Sequence, residues 1–210
     1  SLMPRRPKSK LRRAVERALT RASSALFAVL VRLLPLSALR RLADGVAWLI
    51  GALAPSRRRL AMDNMRRVFG DRYTERQYRA LVAEVTRGIC RTMVELLKCP
   101  YLSAEQIRAL VRPQGLEHLE AALAAGRGVI LVTAHFGNWE LMTAVLPLVA
   151  RPMNIIYRPL DNPLLDNLFG WVRSCHGNNL TPKEGAGKES HRLLRKNHTL
   201  GILIDQNVAV

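Results

Sequence analysis

The stretch VILVTAHFGNWELM, residues 129–142, decides the fold class. Val129, Ile130, Leu131 and Val132 run without a polar break into Thr133, and the run stops at Ala134 and His135. A short apolar, β-branched run bounded by a turn signal reads as a buried strand. Gly137 permits a tight turn, and Asn138 can cap a helix that opens with Trp139 and Glu140. The segment therefore reads strand, turn, helix. That geometry can bring His135, at the strand end, close to Glu140, in the first helical turn. A carboxylate that accepts from one imidazole nitrogen fixes the tautomer and raises the basicity of the other. The expected unit is a His135/Glu140 dyad able to take a proton from a hydroxyl. The plainer alternative is a structural histidine with a glutamate that favours the positive helix end.

The same alternation extends on both sides. GLEHLEAALAAGRG (115–128) reads as a helix, NIIYR (154–158) as a strand and NPLLDNLFGWVRSCHG (162–177) as a helix. NNLTPK (178–183) reads as a short strand, GKESHRLLRKN (187–197) as a helix and LGILID (200–205) as a strand. Strands separated by helices at this spacing imply crossover units. The expected fold is α/β, with a mainly parallel sheet covered by helices on both faces. Ligands of such sheets bind beyond the carboxyl ends of the strands. His135, Arg158 and Asp205 all fall at such ends.

Upstream, residues 56–111 read as helices with Ser56, Thr74 and Ser103 as caps, and with stops at Gly70 and Pro100. Residues 1–55 are basic and apolar, and no run reaches the roughly 18 clean apolar residues of a spanning helix. They read as amphipathic helices broken near Pro35 and Pro55. Their apolar faces suit a bilayer interface with arginines on lipid phosphates, or else packing against the rest of the protein. The expected division is a membrane-associating N-terminal region, 1–55, before an α/β catalytic domain, 56–210.

The chain has 210 residues, 49% of them hydrophobic, and a net charge of +17. A charge of that size concerns partners: nucleic acid, an anionic membrane, or phosphorylated substrates. Aromatic residues make up only 5% and do not alternate with basic ones, which disfavours a base-stacking platform. Cys90, Cys99 and Cys175 form no C-x-x-C pair and read as inert thiols. His118, His191 and His198 sit in polar settings and read as solvated.

The chemistry narrows by elimination. G-x-S-x-G and H-E-x-x-H are absent, so neither a serine nucleophile nor a zinc site is expected. KEGAGKES (183–190) fails as a phosphate loop, because Glu189 follows Lys188 and Pro182 stands where the first glycine belongs. A base without a protein nucleophile points to attack by a substrate hydroxyl on an activated acyl or phosphoryl group.

HFGNWE (135–140), YRPLDNPLLD (157–166) and LGILIDQN (200–207), in that order, resemble the late acyltransferases of lipid A biosynthesis, the lauroyl/myristoyl transferase group. These belong within the wider H-x4-D/E glycerolipid acyltransferases. RRLAMDNMRRVFG (58–70) resembles the family's helix before the catalytic domain. The resemblance implies His135 as base and Glu140 as its partner. It implies no bound cofactor, an acyl thioester donor on acyl carrier protein or coenzyme A, and a hydroxyl acceptor on a membrane glycolipid, a lipid A precursor. It further implies the cytoplasmic face of a bacterial inner membrane, peripheral or N-terminally anchored, with no nucleic-acid partner. Family members continue past the DQ strand, so the catalytic domain is expected to be C-terminally incomplete here.

Such chemistry needs cations for the oxyanion and for the acceptor's phosphates. Arg158 and Arg173 are candidates for either task. Asn138, Asn162, Asp205 and Gln206 complete the substrate-binding candidates. For Asn162 the competing role is a helix cap, and for Asp205 and Gln206 a turn. Competing functions are a non-catalytic basic membrane- or nucleic-acid-binding protein, an acyltransferase on another glycolipid or a lysophospholipid, and a hydrolase using the same base on water.

Overall fold

A computed structural model describes residues 27–205. The N-terminal basic segment to residue 26, and Gln206, lie outside the described residues.

The helical part comes first. The described chain opens within helix α1, which runs to residue 33 and ends before Pro35, which cannot supply a helical N–H. Helix α2 (Leu36–Leu53) buries Leu39, Ala43 and Ala47, one residue per turn, and the small Ala43 and Ala47 let α2 lie close along α4 (Glu75–Lys98). Arg40 pairs with Glu95, and Asp44 pairs with Arg91 through two bonds of 2.7 and 2.6 Å. Four residues forward on α2 thus match four residues back on α4, so the helices run antiparallel. Helix α3 (Pro55–Phe69) opens on Pro55 itself, not on a Ser56 cap, because proline is pre-set for the first helical position. Helix α4 starts at the expected Thr74, with a reciprocal capping box to Gln77. It passes through a 3₁₀ turn at Cys99–Tyr101, and Ser103 caps α5 (Ala104–Ala109) in the same way.

The sheet follows helix α6 (Leu116–Ala124). Its strands are β1 (Val129–Thr133), β2 (Met153–Tyr157), β3 (Asn179–Pro182) and β4 (Thr199–Leu203). The intervening helices are α7 (Trp139–Val149), α8 (Pro163–Ser174) and α9 (Ala186–Arg195). All strand pairs are parallel, in the spatial order β1-β4-β2-β3. The chain steps in one direction through β1, β2 and β3, then reverses to insert β4. Right-handed crossovers therefore put α7 and α8 on one face and α9 on the other. This is the expected parallel sheet with helices on both faces. The interior strands β2 and β4 are buried at their first three residues. On β1, Ile130 and Val132 are exposed among the described residues. The unbroken apolar run predicts a buried strand, whereas β1 is an edge of the described sheet.

Among the described residues, no helix is long and apolar enough to cross a membrane. Packing on α4 accounts for one face of α2. Leu42, Val46, Trp48, Leu49 and Leu53 remain exposed on the rest of it.

Candidate active site

In-register pairing builds the centre of the site. Thr133 of β1 lies opposite Leu203 of β4. His135 and Asp205 each follow two residues later, so parallel strands deliver them to the same place at the sheet's carboxyl edge. Asp205 grips His135 twice. Its Oδ2 accepts the His135 backbone N–H at 2.9 Å, and its Oδ1 lies 2.8 Å from Nδ1. The two bonds donated by His135 hold the Asp205 carboxyl below the usual aspartate range. An ionised Asp205 accepts the Nδ1 proton, which leaves the lone pair on Nε2. The imidazole also packs edge-on against Trp139, with ring centroids 5.1 Å apart.

This corrects the pairing expected from spacing. No hydrogen bond joins His135 to Glu140. Glu140 is only 3% exposed and is held by the Arg173 guanidinium, whose Nε lies 3.0 Å from Oε2 and whose second nitrogen meets Oε1. The physical reason is burial. A carboxylate withdrawn from water needs a full opposite charge with directed bonds, which a guanidinium supplies and a neutral imidazole does not. Helix α8, beside α7 on the same face, brings Arg173 there. The imidazole stands at the more open rim and takes its partner from β4.

The members still share one open cavity of about 670 Å³, lined by His135, Trp139, Glu140, Arg158, Arg173 and Met93 among others. Arg158 reaches it from the end of β2. Asn138 and Asn162 are placed as caps. Asn138 Oδ1 accepts from Leu141 N at 3.0 Å, and Asn162 Oδ1 from Leu164 N at 3.0 Å.

Burial pushes the Cys99 thiol up to about 12 and the Cys175 thiol to about 11, so neither supplies a thiolate near neutrality. Among the described residues, no group of three or more His, Cys, Asp or Glu side chains is arranged to hold a metal ion. His176 approaches the Cys99 carbonyl at 3.3 Å, a structural contact.

Three positions escaped sequence reasoning. Glu95 reaches the turn after β1 from α4, through Asn138. Met93, on the same helix, forms a cavity wall. Asn178 is buried and ties Met153 N to the carbonyls of Thr143 and Arg173. Apart from the Asn178 bond to the Arg173 carbonyl, each contact spans 25 or more residues of chain, and no local pattern announces it.

Known proteins match the chain over most of its length. A family model described as bacterial lipid A biosynthesis acyltransferase matches residues 6–210. A lipid A biosynthesis acyltransferase of Haemophilus influenzae is 25% identical over 170 residues, covering 81% of this chain and 53% of the relative. The lipid A biosynthesis palmitoleoyltransferase of Escherichia coli K12 is 27% identical, covering 73% of this chain and 47% of the relative. The lauroyltransferase of the same organism is 28% identical, covering 69% and 46%. The chain thus spans about half the length of the curated relatives it matches.

Proposed function

Because the chain belongs to the bacterial lipid A biosynthesis acyltransferase family, we propose that it moves a fatty acyl chain from a thioester to a hydroxyl of a membrane glycolipid, a lipid A precursor. The observation that carries the reading is the His135–Asp205 hydrogen bond beside a cavity lined by His135, Arg158 and Arg173. The acceptor hydroxyl gives its proton to His135 Nε2 while its oxygen attacks the thioester carbonyl. Asp205 fixes the reacting tautomer and stabilises the imidazolium. The carbonyl oxygen becomes an oxyanion, met by Arg158 or Arg173, and the other arginine takes an acceptor phosphate. Collapse breaks the carbon–sulfur bond, and the departing thiolate takes the proton from His135. The donor is an acyl carrier protein or coenzyme A thioester.

Glu140 keeps a catalytic part in this scheme, altered from a direct partner of the base. It fixes the Arg173 guanidinium at the cavity wall and keeps that wall close to neutral until substrate arrives. Residues 1–55 associate with the cytoplasmic face of the inner membrane. The exposed apolar residues of α2 and the net charge of +17 support that placement.

The test is mass spectrometry of lipids after incubation with acyl thioesters and phosphorylated glucosamine lipids. A product heavier by one acyl group is expected, and His135→Ala should form it at least about a hundredfold more slowly. Equal rates in the variant would remove His135 from the chemistry.

A further inference from the structure

The turn that carries His135 is fastened from a helix far away in sequence. Glu95 lies on α4 with its side chain only 12% exposed. One carboxylate oxygen takes Arg40 Nε of α2 at 2.6 Å, and the other takes the Asn138 amide nitrogen. Asn138 is the cap of α7, between Gly137, at φ +58°, and Trp139, which meets the His135 ring edge-on. A carboxylate only accepts hydrogen bonds, so Glu95 dictates which end of the Asn138 amide faces it. The amide nitrogen must point to Glu95, and the oxygen is thereby turned onto Leu141 N.

We propose that Glu95 is a positioning residue for the transfer reaction. Through Asn138 it sets the turn 135–139 and hence the imidazole's place above the cavity, with Arg40 balancing its charge. This rests on His135 being the base. The contact spans three elements, and cap strength alone does not require it, since Asn138 needs only its oxygen to cap the helix.

Reversing the direction of the hydrogen bond tests it. Asn138→Asp keeps an oxygen for Leu141 N but sets two carboxylates against each other. Glu95→Gln leaves one oxygen for two donors and turns an amide nitrogen on the other. The double variant satisfies everything: the glutamine nitrogen donates to the aspartate, and its oxygen accepts from Arg40. Each single variant should lower kcat about tenfold to a hundredfold with little change in KM, as expected for a base displaced by a fraction of an ångström. The double variant should recover most of that loss. Hydrogen exchange of the backbone amides in 135–141 is followed in parallel and does not depend on turnover. It should quicken in each single variant and return in the double. A double variant as slow and as open to exchange as the worse single would overturn the proposal. Normal coupling in exchange, with no transferase activity in the unmodified protein, would instead refute the enzymatic reading and leave the contact as architecture.

Discussion

His135 differs from the other four histidines in what fixes it. The ring's Nδ1 bond to Asp205 and its edge contact with Trp139 leave it one orientation, and the backbone N–H bond to the same carboxylate fixes the turn beneath it. Asp205→Asn retains the shape and can still accept at its oxygen, but it removes the charge that stabilises the imidazolium. Turnover should fall by about a hundredfold or more, while thioester binding stays near normal. Single-turnover kinetics would separate the two. The lowered Asp205 pKa also fixes a sign. A carboxylate depressed on folding stabilises the native state above its ordinary value of 3.8, and that contribution is lost as pH falls through the lowered folded value. Urea unfolding at a series of acid pH values should therefore show the stability gap between wild type and Asp205→Asn closing below pH 3.8. A gap that widens there would place the bond outside the folding equilibrium. His135 was legible in the sequence because a strand, a histidine and a capped helix are local. Its partner was not, because Asp205 lies 70 residues away and only strand order makes them neighbours.

Between elements, two contacts decide whether the site exists. The first joins α7 to α8 through Glu140 and Arg173, with side chains 5% and 21% exposed. Arg173→Leu strands a buried carboxylate and should cost about 3–5 kcal/mol, whereas adding Glu140→Leu should return much of that stability without activity. Chemical denaturation of both variants measures it, and additive losses would show that the two side chains do not depend on each other. The second contact is the approach of β1 to α9. Gly128 has φ +75°, and a Cβ there would lie 2.7 Å from the Leu194 backbone. Gly128→Ala thus meets both an unfavourable backbone and a collision with main chain. It should destabilise by about 1–3 kcal/mol or more, read as a lowered Tm. The strand and helix signals around GRGVILVT were local, but the closeness that demands glycine belongs to the packed molecule.

Across the whole molecule, charge and apolar surface point the same way. Trp48 is 75% exposed on a helix whose opposite face is already packed, in a protein of net charge +17. The protein should bind anionic vesicles more tightly than neutral ones. Added salt should weaken but not abolish binding, since screening acts within about 10 Å at 0.1 M and leaves apolar insertion intact. Co-sedimentation tests the affinity. Quenching of Trp48 by brominated lipid, with Trp139 and Trp171 replaced by Phe, tests its depth. Unquenched fluorescence in the bound state would take α2 out of the interface. The sequence by itself determined the succession of elements, the helix caps at Thr74, Ser103, Asn138 and Asn162, the parallel α/β class, the family and the place of His135 at a strand end. Those features arise from residues within a turn or two of one another, or from motifs in a fixed order. Only the tertiary structure decided that β4 lies between β1 and β2, that Asp205 and not Glu140 holds the imidazole, that Arg173 neutralises Glu140, and that Glu95 reaches the turn that carries His135. Periodicity reports which face of an element is apolar, but the neighbour on that face is selected by the packing of the whole chain.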